Sequence, residues 1–132
     1  MAKKTSKSTT EEFDYKSIKT FEDACKKTGI ETTEPEIKAA HIEPVKAMIA
    51  YYKLVIIFLA INNGWKPDWS DNNQWKYYPW FYVLSSGFGF ADSGCGCAPS
   101  GTIVGSRLCF ESEEKADYAE KQFAVIYKEF LI

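Results

Sequence analysis

The sequence predicts an α+β domain: two or three helices in the N-terminal and central regions, a small antiparallel sheet of two or three strands, and a long C-terminal helix. Three observations carry this expectation. An apolar run with helical spacing fills the middle of the chain, from Pro44 to Asn62. An aromatic and β-branched run follows at Gln74–Leu84, with a turn-forming Ser85-Ser86-Gly87 behind it. A second helical stripe closes the chain after Ser112.

Residues 1–14 are mostly Lys, Ser, Thr and Glu with little to bury, and read as a disordered polar tail ahead of one domain at 15–132. Ser17–Ile30 reads as a short amphipathic helix with Phe21, Ala24 and Cys25 on one face and Gly29 as its stop. Pro35 punctuates the linker that follows. In the central helix, Val45, Met48, Ile49, Tyr52, Val55, Ile56 and Leu59 keep the 3.6 period, and Leu54, Ile57, Phe58 and Ile61 widen the apolar face. That leaves Lys46, Ala50, Lys53 and Ala60 as the stripe expected to meet water. The longest apolar segment, Ala47–Ile61, is interrupted by Lys53 and falls short of the ~20 residues of a membrane span, so it reads as a core helix.

Beyond it, Gln74–Leu84 and Phe88–Ala91 read as a hairpin, weakened or broken at Pro79, which lacks an N–H. The Gly/Ser/Cys-rich stretch Asp92–Gly101 reads as a loop, and Thr102–Phe110 as a third strand. Ser112 caps the final helix, whose apolar stripe is Ala116, Ala119, Phe123, Ile126, Tyr127 and Phe130; Lys115, Glu120, Lys121 and Lys128 fall outside it.

The composition narrows the function classes. Net charge is −2, and of 16 basic residues only Arg107 is an arginine, which disfavours a dedicated duplex-DNA or RNA binder. No apolar segment of signal-peptide type follows the basic N-terminus, so Cys25, Cys95, Cys97 and Cys109 read as reduced cytosolic thiols.

Chemical motifs are weak. Ser86–Ser93 holds the Gly-Phe-Gly-Phe centre of an RNA-recognition pattern, but its flanks and the element order fail, and a hairpin explains the same letters. Cys95-x-Cys97, even with Cys109, Cys25 or His41, lacks the spacing of a zinc site. Asp68, Ser70 and Asn72 open like a calcium loop, yet Asn73 and Pro79 stand where Gly and Glu are needed; Asx turns fit better. With one histidine and no nucleophile or phosphate-loop motif, the expectation is a protein without catalysis, cofactor or metal.

The aromatic density is the remaining signal. Gly64–Val83 contains all four tryptophans. In strand alternation Tyr78, Trp80 and Tyr82 share one face while Tyr77, Phe81 and Val83 share the other, so one face has apolar surface in excess of what a core needs. The expectation is mainly core with a residual partner surface. The candidate binding residues are Trp69, Trp75, Tyr78 and Trp80, with Lys66, Lys76 and Arg107 as cations.

The phrases GWKPDW, YYPWF and SRLCF, within Ile49–Phe81 and Val104–Phe130, resemble a group of small proteins from Bacteroidetes bacteriophages, prophages and mobile elements, crAss-like phages included. From Ile49 to Phe130 the similarity extends over about two-thirds of the chain, weak through Ser93–Gly101 and without the N-terminal tail. It implies a phage setting, in the bacterial cytoplasm or the virion, and brings no activity with it. The resulting expectation is a non-catalytic protein that binds a phage or host protein, or itself. The alternative is a single-stranded nucleic-acid binder that stacks bases on exposed Trp and Tyr.

Overall fold

A computed structural model describes residues 12–38, 41–84, 87–98 and 105–132; at 80, 82–84, 87–98 and 106 it describes the backbone alone. Asp14 caps a 3-10 turn at Tyr15–Ser17 by accepting from the Lys16 amide. Helix α1 spans Phe21–Thr28. It starts on a capping box, in which Thr20 accepts from the Asp23 amide and the Asp23 carboxylate accepts from the Thr20 amide. Gly29, at φ 73°, ends it in the left-handed conformation that glycine adopts without a Cβ penalty. The expected face is buried: Phe21, Ala24 and Cys25.

Helix α2 spans Ile42–Asn62. By length and composition it could cross a membrane, but its second half lies inside the domain. Leu54, Ile56, Ile57, Phe58, Ala60 and Ile61 are buried in the core, where α2 packs on α1 and on the last helix of the chain. The expected solvent stripe is corrected here. Ala50 and Ala60 are buried, whereas Met48 and Leu59 are exposed. Alanine lets neighbouring elements approach the α2 backbone closely, so the small residues mark the packed side.

Strands β1 (Lys76–Leu84) and β2 (Gly87–Ala98) pair antiparallel, Leu84 opposite Gly87 and Lys76 opposite Ala98. The register shifts between Pro79 and Phe81, where proline removes a ladder donor. β2 runs through Cys95 and Cys97, so the loop expected at Asp92–Gly101 is strand as far as Ala98.

The α+β expectation is overturned. Among the described residues the domain is mostly helical, with four α-helices that hold more than twice as many residues as the strands. The strand segments form a single two-stranded ribbon, and no sheet of its own supplies a second layer. The third strand is absent where the chain is described: Ser106–Leu108 is a 3-10 turn entered through Gly105 at φ 89°, and only Phe110 bridges back, to Tyr77. Residues 102–104 lie outside the described residues. Leu108, Cys109 and Phe110 are buried in succession, which an alternating strand with one wet face does not allow.

The C-terminal helix is likewise two helices, α3 (Glu113–Gln122) and α4 (Ala124–Leu131), separated by non-helical Phe123 at φ −112°, ψ 25°. Ala116, Ala119, Phe123 and Tyr127 are buried as expected, and so is Glu120, which the sequence placed outside the stripe. The core centre is a stacked pair, Phe58 of α2 on Phe110, with ring centroids 3.7 Å apart. Phe13 and Tyr15 pack against this core too, so the domain includes part of the segment read as tail.

Candidate functional site

The candidate residues on the chain after α2 are positioned by the way that helix stops. Asn63 is left-handed (φ 46°, ψ 50°), Gly64 has φ 91°, and the Trp65 amide donates to Asn62 O at 3.0 Å. The chain therefore folds back along the helix instead of leaving it. Asn62 itself is buried, and its side chain ties this end to the 109–111 segment. Its Nδ2 donates to Cys109 O at 3.0 Å, and its Oδ1 accepts from the Glu111 amide at 3.3 Å.

The loop that follows is built from the Asx turns the sequence suggested. Asp68 accepts from the Ser70 amide at 2.9 Å and Asp71 from the Asn73 amide at 2.8 Å. Gln74 closes the loop by accepting from the Asp68 amide at 2.6 Å. The hydrogen bonds of Ser70, first from its hydroxyl and then from its amide, hold the Asp68 carboxyl below the usual aspartate range.

Lys76 takes a different place from the one expected of a surface cation. It is fully buried; its Nζ donates to Asp71 O at 3.0 Å and lies 5.1 Å from the Trp69 ring centroid. Its stem thus braces the loop from inside, and it is corrected from a phosphate contact to a structural post. Trp75 is 50% exposed, while Tyr78 and Trp69 are half-buried. The Trp80 side chain lies outside the described residues.

Three of the seven candidates converge. Lys66, Trp69 and Arg107 line one cavity of about 330 Å³, together with Val55, Phe58, Leu59, Asn62, Trp65, Pro67 and Cys109. Trp75, Tyr78 and Lys76 are not part of its wall. Trp65 and the α2 residues were missed because their helical spacing and apolar character mark them equally well as core. The Asn-Asn-Gly-Trp stop was the available signal, since it obliges Trp65 to return against the helix.

Cys25 and Cys109 are buried thiols. Burial, then the charge of Glu22, pushes the Cys25 thiol up, away from the thiolate that metal binding or nucleophilic attack needs. Among the described residues no group of three His, Cys, Asp or Glu side chains could hold a metal ion. The side chains of Cys95 and Cys97 lie outside the described residues, and His41 is exposed at the start of α2.

No family model, curated protein or solved structure matches this chain.

Proposed function

We propose that the chain is a non-catalytic interaction protein that docks onto another protein, in the first instance a second copy of itself, through the end of the molecule where α2 begins and α4 lies. The carrying observation is apolar surface left uncovered there. Val125 is 71% exposed, Ile42 67% and Ile132 57%. Tyr51 and Phe130, with ring centroids 5.4 Å apart, join the two helices beside this face.

The charges around the patch favour a copy of the same chain over a partner of one sign. Between α2 and α4 a cleft is lined by Glu43, Lys46, Lys128 and Glu129 as well as Val125 and Ile132. Each helix contributes one acid and one base. A two-fold contact requires a self-complementary patch, and this arrangement lets acids of one copy meet bases of the other. In the phage setting that GWKPDW, YYPWF and SRLCF imply, such a unit would serve assembly, in the host cytoplasm or as part of the virion, with phage or host proteins as further partners.

Sedimentation velocity over a concentration series tests this. A monomer–dimer equilibrium is expected at roughly 10–100 μM, the range of a small interface. The double substitution Val125→Glu, Ile132→Glu, at exposed positions that leave the core intact, is expected to abolish it. A chain that stays monomeric to about 1 mM, or a dimer untouched by both glutamates, refutes the docking face.

A further inference from the structure

The cavity beneath the Trp65–Trp69 loop has features that neither packing nor the docking face accounts for. Its wall carries two cations, Lys66 and Arg107, and no carboxylate. Both are exposed residues, and neither enters an ion pair among the described residues. Trp69 contributes its half-buried indole to the same wall. The floor is rigid: Phe58 is stacked on Phe110, and both ends of the Asn62 amide are already engaged. The remaining wall is aromatic or aliphatic, from Trp65, Val55, Leu59 and Pro67.

We infer that this cavity is a binding site for a small planar aromatic anion, a nucleoside monophosphate, with the base against the indoles and the phosphate held by Lys66 and Arg107. Each part of the ligand answers one part of the wall. Indoles favour a flat π-system such as a nucleobase. A guanidinium and an ammonium on the same rim suit a phosphate better than a neutral group. A volume of about 330 Å³ is at the small end of ligand pockets (about 300–1,000 Å³), which matches a mononucleotide and leaves no room for a run of bases.

This site does not depend on docking at the α2–α4 end. Ile42 and Leu59 are separated by most of a helix that, at 21 residues, is about 30 Å long, and only Leu59 belongs to the cavity.

The test is calorimetric titration with AMP and dTMP at low salt, with the Trp69 indole N–H followed by ¹H–¹⁵N NMR. Sub-millimolar binding, a shifted Trp69 resonance, and losses of about tenfold or more for both Arg107→Ala and Lys66→Ala are expected. Adenosine, without the phosphate, should bind at least about tenfold more weakly than AMP. Three results overturn the assignment: no binding of either nucleotide at about 5 mM, inorganic phosphate binding as well as AMP, or affinity unchanged in Arg107→Ala. An oligo-dT that binds about a hundredfold tighter than dTMP also overturns it, in favour of an extended single-strand interface. Both alanine variants change exposed residues, so unchanged circular dichroism separates loss of binding from loss of fold.

Discussion

At the scale of single residues, two polar groups make opposite contributions. The Asp23 carboxylate accepts from the backbone amides of Lys19 and Thr20, and those bonds, led by the one from Lys19, hold its carboxyl below the ordinary value of 3.8. Because the folded pKa lies below the unfolded one, the stabilisation is complete above the unfolded value and is lost as pH falls through the folded one. Asp23→Ala should therefore lower Tm at neutral pH, and its gap from the parent should narrow between about pH 5 and pH 2. A gap constant across that range would falsify the electrostatic part of the cap. Tyr127 is the converse. Its hydroxyl is buried with no hydrogen-bond partner among the described residues, and burial, then the nearby Glu120 and Cys109, raises its pKa well above the ordinary phenol value. Its ring still packs on Phe81 at 4.8 Å. Tyr127→Phe keeps the ring and removes the unmet group, so urea unfolding should show a gain of about 1 kcal/mol; a loss of similar size would reveal a partner for the hydroxyl.

At the scale of elements, sequence legibility depended on whether the local signal and the packing agreed. α1 was readable down to its stop, because Gly29 and the face of Phe21, Ala24 and Cys25 are local features. The hairpin was readable from the aromatic and β-branched run of its first strand and from Pro79, although β2 runs seven residues past the expected Ala91, through small residues whose pairing is set by β1 rather than by their own propensity. The third strand and the unbroken last helix were misread for one reason. Tertiary packing overrides the local period in both: Leu108, Cys109 and Phe110 are buried in succession, and the backbone bends at buried Phe123 although the i, i+4 spacing of Ala119, Phe123 and Tyr127 fits one helix. Of the site, Lys66, Trp69 and Arg107 were legible as a set of residue types, but their convergence depends on Asn62, which fixes the α2 end to residues 109–111. Asn62→Ala leaves the Cys109 carbonyl without this donor inside the domain and should cost about 1–3 kcal/mol in denaturant unfolding. A change under about 0.5 kcal/mol would mean that the join is held by the Phe58–Phe110 stack instead.

At the scale of the whole molecule, burial is distributed unevenly along α2. From Leu54 to Asn62 nearly every residue faces the core, whereas Ile42, Met48 and Tyr51 are exposed apolar residues in the first half. A helix of this length is held chiefly by the packing of its apolar face. The first half should therefore open more readily than the second unless something covers it. This gives the docking proposal a readout with a spatial address. In hydrogen exchange at low concentration, amides of Lys46–Tyr52 should exchange well before those of Leu54–Asn62. Raising the concentration through the association range should slow the first group by the fraction of protein that is dimeric and leave the second unchanged, because the second is already protected by the core. The Val125→Glu, Ile132→Glu variant should show the low-concentration pattern at every concentration. Slowing confined to the Leu59–Trp69 region would instead place the contact over the nucleotide cavity. Rates that never depend on concentration would leave the exposed α2–α4 end without a second copy to cover it.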